Sequence, residues 1–359
     1  MAYNDSIMTR EIKKGNRIKI TTLIVAIILS IILFVVGIFV GSSHMGFVEC
    51  FKALFKISTP AYNNIVWNIR MPRVIAAFVA GGGLAISGLI MQTSLRNDMA
   101  SPATLGVSNA AVFGANVSII ALSGGFLITG NNVNNLTNAI NPFATSVMAF
   151  IFSLLSIIIV LGLCKFRKFS PSTIALAGIA IGYIWNAATT ILQFYATDVG
   201  LSAAVIWSFG DLGRATYKSD LLMFIIVILG LIFFMLMSWR YNTLLSGEDS
   251  AKAMGINVEL LRFLSLLVAS IITAVCVSML GMIGFVGLIC PQVVKRIIGN
   301  DHRYFIPTTF FSGSILLLFA DILSRTIGNG SALPVGAITS LLGAPFFLLL
   351  IFSWRKKDA

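Results

Sequence analysis

Leu245–Arg262, LSGEDSAKAMGINVELLR, is the one long polar insertion in the C-terminal half of the chain. Leu221–Trp239 before it is almost wholly apolar, and Phe263–Leu280 after it is nearly so. Apolar runs of that length on both sides of a short charged piece read as two membrane spans joined by a loop. Within the loop, Glu248 to Met254 predicts a short helix. Acidic Glu248 and Asp249 open it, Ala251 and Ala253 lie inside, and Gly255 supplies the stop. A short helix held between two spans can pass force to a soluble partner; an ordinary connection is the plainer reading.

Composition widens this to the whole chain. Of 359 residues, 57% are hydrophobic and only 11% charged, against about 25% charged in soluble domains. Lipid leaves no partner for a bare backbone, so each apolar run of about 20 residues must cross as a helix. Ten candidate spans fit an all-α membrane bundle: Ile20–Val40, Val74–Met91, Leu105–Leu122, Phe143–Cys164, Ile174–Tyr195, Leu221–Trp239, Phe263–Leu280, Ile283–Ile298, Ile306–Thr326 and Val335–Phe352. Only the tight Gly281–Gly284 stretch separates the seventh from the eighth. The first span has no small-residue cleavage site after it and reads as an uncleaved helix.

The net charge of +12 sets orientation. With the N-terminus inside and ten spans, the inner segments hold 18 of the 25 Lys and Arg residues and the outer ones 7, as the positive-inside tendency expects. No nucleic acid is needed to explain the basic balance. Residues 1–19 form a polar, basic cytosolic tail, residues 20–354 the membrane domain and residues 355–359 a basic cytosolic C-terminus. Between the first two spans, Phe47, Phe51, Leu54 and Phe55 mark an amphipathic outer segment. The outer Ser123–Asn141 loop is rich in Gly and Asn, the inner Lys165–Pro171 loop is basic, and Gly328–Pro334 is a last outer turn.

The second span opens with Ile69-Arg70-Met71-Pro72-Arg73, where a proline suits a helix start and the two arginines share a face. Further along, Ala76, Ala77, Ala80, Gly81, Gly82, Gly83, Ala85, Ser87 and Gly88 make a surface of very small residues, over which helix backbones can approach closely.

Several chemistries are excluded. There is no G-x-x-x-x-G-K-[ST] phosphate loop, and His44 and His302, the only histidines, belong to no HExxH. Cys50, Cys164, Cys276 and Cys290 show no paired spacing, so neither a disulfide framework nor a metal site is expected, and no cofactor. Asp321 is the main ionisable residue near mid-membrane; Arg325 one turn later makes a local ion pair the simpler account of it.

Seven segments in order resemble the permease subunits of ABC importers for iron-siderophore complexes, haem and cobalamin. They are Ile69–Gly88, Leu95–Asn109 (LRNDMASPATLGVSN), Gly247–Arg262, Gly281–Pro291 (GMIGFVGLICP), Asp301–Pro307, Ala320–Arg325 (ADILSR) and Leu333–Phe347 (LPVGAITSLLGAPFF). Each alone is weak, but together they are specific. The resemblance implies a ten-helix bundle that pairs with a second permease, identical or paralogous. It implies a coupling helix, residues 247–256, resting on one of two copies of a cytosolic ABC ATPase through Glu248, Asp249, Ala251, Lys252, Met254 and Gly255. An extracytoplasmic binding protein would dock through acidic residues on Arg70, Arg73 and Arg325; interfacial snorkelling is the alternative for these side chains. The polar start of the fifth span, Ser170, Ser172 and Thr173, matches the inner gate more loosely.

Asn109, Asn116, Asn186 and Gln193 are candidate lining residues, with interhelical bonding the equal alternative. Relatives often carry histidine after the proline of CPQVVKR; here Gln292 stands there and can still hydrogen-bond. The expected function is therefore a non-enzymatic permease that moves a ferric siderophore through the bacterial cytoplasmic membrane by alternating access. Haem or cobalamin is the alternative cargo. A self-contained secondary transporter is the rival class.

Overall fold

The computed structural model describes residues 2–41, 45–123, 141–165, 170–327 and 332–354. Most of the Gly- and Asn-rich loop, residues 166–169, most of the last outer turn and the basic 355–359 segment lie outside the described residues. The regular elements described are all helices: α1 (Ala2–Phe39), α2 (Phe47–Leu54), α3 (Pro60–Leu95), α4 (Val107–Leu122), α5 (Pro142–Lys165), α6 (Pro171–Phe194), α7 (Asp198–Ser208), α8 (Tyr217–Leu236), α9 (Ser238–Leu245), α10 (Glu248–Ala253), α11 (Val258–Leu280), α12 (Val286–Ile298), α13 (His302–Ile327) and α14 (Val335–Trp354).

Seven of these are long and apolar enough to cross a membrane: α1, from Gly15 onward, α3, α5, α6, α8, α11 and α13. The third and eighth expected spans are shorter. α4 falls below the 18 residues such a span needs, and α12 has 13 residues, about 20 Å at 1.5 Å per residue against a hydrocarbon core of about 30 Å. The tenth, α14, is apolar over Val335–Leu349. Residues 2–19 are helical and continuous with the first span; no proline interrupts them.

α3 is the central helix, with 89% of its apolar window buried. The small-residue surface explains how. A Cβ built on Gly81 would lie 2.5 Å from the Gly313 carbonyl oxygen of α13, and one on Gly88 would lie 1.8 Å from that of Gly287 in α12. Backbones meet directly there, which only glycine allows. The second span does not begin at Ile69–Pro72. It begins at Pro60, behind the Thr59 N-cap, and runs through Pro72. Pro72 has no N–H for the preceding turn, and residues 65–70 widen into a π turn in which the Met71 N–H bonds the Val66 carbonyl.

The boundary after Leu280 is now explicit. Gly281 (φ +81°) ends α11, residues 281–285 belong to no helix, and Phe285 enters α12 in the left-handed region at φ +66°. Residues 208–210 and 333–335 pack on the same break: Asp211 N–H bonds Leu280 O, and Val335 N–H bonds Gly210 O.

Candidate functional site

The expected short helix is present as α10, one residue shorter than read, with Met254 as its cap. Its C-terminus closes as a two-bond glycine motif. The Ile256 N–H bonds Ala251 O, the Gly255 N–H bonds Lys252 O, and Gly255 takes φ +80°. Ala251 and Ile256 are buried beneath it, while Asp249, Lys252, Ala253, Met254 and Gly255 are exposed. The base of α10 is bolted down. Glu248 Oε1 lies 2.6 Å from Arg262 Nη2, and Arg262 Nε donates to the carbonyl of Ser94 at the end of α3 (2.9 Å). Arg262 is 2% exposed.

Arg262 is the residue that sequence reasoning passed over. An arginine following VELL inside an apolar run was the available signal. Partial burial alone would raise the Glu248 carboxyl. The hydrogen bond and charge of Arg262, with Arg96 and Lys252 adding, instead hold it below the usual carboxylate range. A depressed acid stabilises the fold above its ordinary pKa of about 4.3 and loses that contribution as the pH falls below it. The tether is thus intact at neutral pH.

At the opposite end, Arg70, Arg73 and Arg325 are 3%, 6% and 5% exposed. Their expected placement on an outer surface is corrected: all three are drawn into the bundle. Arg73 Nε lies 2.5 Å from Asp321 Oδ1, Arg325 Nη2 lies 2.6 Å from Asp321 Oδ2, and Arg73 Nη1 lies 3.7 Å from Asp211. Arg70 Nη1 donates to the carbonyls of Ile38 and Phe39, and Arg325 Nη1 to that of Val40. The last carbonyls of α1 lack intrahelical partners, and two guanidiniums fill that role where cations are also favoured by the helix dipole. The Asp321–Arg325 pair is as read from its spacing; Arg73 joins it from α3.

The gate and lining candidates separate. Ser170 is the N-cap of α6, accepting from the Thr173 N–H, with its hydroxyl 2.6 Å from that of Thr173; Ser172 is exposed. Asn109 Nδ2 donates to Gly182 O, and Gln193 Nε2 donates to Asn116 Oδ1. These three amides therefore tie α4 to α6. Asn186 alone is exposed, on the α6 face that also bears exposed Tyr183 and Thr190. Gln292 Nε2 donates to Gln92 Oε1 (2.8 Å) and Asp98 O (3.2 Å), so this position does hydrogen-bond.

A cavity of about 450 Å³ lies among α3, α4, α11, α12 and α14. Its wall includes Ser101–Ala103, Ser208, Phe209 and Met282–Phe285, all at or beside the junctions between the long helices. Irregular backbone at membrane depth survives only when buried in protein or lining a watered space. The broken helices of this fold converge on one such space.

The FecCD transport family matches residues 27–353. A "Putative ABC transporter permease protein" of Methanocaldococcus jannaschii is 42% identical over 93% of this chain and 96% of its own length. The hemin transport system permease protein HmuU of Yersinia pestis is 35% identical over 88% of this chain and 92% of its own. Among solved structures, "An inward-facing conformation of a putative metal-chelate type ABC transporter" superposes with a TM-score of 0.76, at 24% identity, over 93% of this chain and 99% of that one; that likeness is one of fold.

Proposed function

The chain belongs to the FecCD transport family, and from that premise we propose that it carries a ferric siderophore across the cytoplasmic membrane, worked by a separate ATPase seated on α10. Membership makes it a multi-pass permease of an ABC importer in the cell membrane, with transport rather than catalysis as its work. The proposal adds the cargo, the coupling contact and the partners.

The observation that carries the coupling role is the asymmetry of α10. One side is anchored by Ala251, Ile256 and the Glu248–Arg262–Ser94 chain, while Asp249, Lys252, Met254 and Gly255 face outward. A lever needs both a rigid root and an accessible surface. Two bundle packings of similar energy, biased by the ATPase at this end, supply alternating access. An extracytoplasmic binding protein would bias the other end. There Arg70, Arg73 and Arg325 serve by holding the ends of α1, α3 and α13 together beneath the docking surface, rather than by reaching across it.

The second permease would pack on the exposed face of α6. Only 22% of the apolar window of that helix is buried within one chain, and Tyr183, Asn186 and Thr190 would be costly against lipid. Facing a cargo path between two permeases, they need no lipid partner. Asn186 is thus the lining residue proposed here, and Ser170, Ser172 and Thr173 stand at the α10-side mouth of the same helix as its gate.

Iron in a large organic chelate is the cargo class. The name of the Yersinia relative makes haem the second reading.

The test is copurification. In the double variant Met254→Asp, Gly255→Asp, the bundle should be recovered intact and the ATPase lost. Unchanged ATPase recovery would remove α10 from the coupling contact.

A further inference from the structure

We propose that the groove beside α10 binds an anionic glycerophospholipid from the membrane leaflet at that end of the bundle. A cavity of about 320 Å³ opens where the last turn of α8, the start of α9, the Met254–Asn257 turn and the first turns of α11 meet. Phe233, Met237, Leu261 and Leu264 make its floor apolar. The approach to it is continuous with the surface that α8 and α11 turn outward, where Leu236 and Leu260 are 73% and 52% exposed. An acyl chain can therefore enter without leaving hydrocarbon.

The mouth is of a different character. Trp239 is 54% exposed there, and Arg240 beside it is exposed too. Tryptophan collects at the headgroup level of a bilayer, and guanidinium is the side chain best shaped for a phosphodiester. Among the described residues Arg240 makes no ion pair; its hydrogen bond goes to the thioether of Met237 (3.3 Å), a weak acceptor. A cation at the rim of an apolar slot matches a ligand with one anionic group and a hydrocarbon tail. A soluble anion would gain nothing from the floor, and a zwitterionic lipid, whose phosphate is already balanced by its own ammonium, would gain less from Arg240 than a lipid of net negative charge. The slot shares its Met254–Asn257 wall with the surface proposed for the ATPase, so the ATPase is the competing occupant.

The full-length chain, reconstituted in phosphatidylcholine nanodiscs, provides the test through its tryptophan emission. Brominated phosphatidylglycerol should quench more than brominated phosphatidylcholine at equal mole fraction. The excess should vanish in Trp239→Phe, which gives the background of the other four tryptophans. Arg240→Gln should weaken the apparent affinity about five-fold, the effect of one basic side chain near an anionic leaflet, while Arg240→Lys keeps most of it. Leu264→Phe, which narrows the slot without touching charge, should also reduce the excess. Equal quenching by the two lipids, an excess that survives Trp239→Phe, or an excess indifferent to both Arg240→Gln and Leu264→Phe would overturn the proposal. So would an excess lost whenever the ATPase is bound, which would give the slot to the ATPase.

Discussion

Asp321 carries more than its helical neighbour. Its carboxylate is fully buried and sits between two guanidiniums, Arg325 from its own helix and Arg73 from 248 residues earlier. Removing one member of a buried ionic group leaves uncompensated charge, at a cost of about 3–5 kcal/mol. Asp321→Asn should therefore lower the melting temperature of the detergent-solubilised chain sharply. A melt unchanged from the parent protein would mean that the carboxylate is not the counter-ion. The pair with Arg325 was legible because i, i+4 spacing is a local property. Arg73 was not, since nothing local tells which distant carboxylate a guanidinium will meet. The same limit hid that Arg70, Arg73 and Arg325 are drawn into the bundle. An outer arginine that caps a helix end and one that waits for a partner have the same sequence.

Helices α3, α12 and α13 pack through glycine, and this decides what the element can tolerate. Gly88→Val has no space, because even a Cβ would overlap the Gly287 carbonyl; overpacking of this kind costs at least about 1–3 kcal/mol. Gly162 on α5 meets nothing within 4 Å, and Gly162→Ala should be neutral or stabilising by up to about 1 kcal/mol. Thermal melts of the two variants should move in opposite directions or, for Gly162→Ala, not at all. Equal losses would show that the glycines matter as helix breakers rather than as contact points. The small-residue stripe itself was readable. Its partners were not; the break after Leu280 was readable from the Gly281–Gly284 stretch, whereas the shortness of α12 followed from its start at Val286, which apolar composition does not record.

At the scale of the molecule, the chain lacks a nucleotide-binding loop, and its conspicuous intramembrane acid is tied up in ion pairs. Sealed vesicles holding this chain alone should therefore not accumulate ferric chelate against a gradient. The same vesicles with the ATPase and ATP should do so, and mutation of the phosphate-loop lysine of the ATPase should stop it. Accumulation by the chain alone would make it a self-contained transporter. In the proposed assembly the coupling surface, the α6 face and the opposite end would each meet a different partner, which is why transport is expected only of the complete complex.

Sequence alone determined the class of protein, the order of its apolar segments, the position of α10 with its glycine stop, and the family. The first three rest on local composition or spacing, since lipid permits few structures for a given pattern; the family rests on the resemblance of seven ordered segments. Tertiary structure alone decided which charges are buried, which of Asn109, Asn116, Asn186 and Gln193 remain exposed, and where broken helices enclose a cavity. Those outcomes depend on which faces meet across hundreds of residues, and in a chain that is apolar almost throughout, hydrophobic pattern does not choose between one apolar face and another.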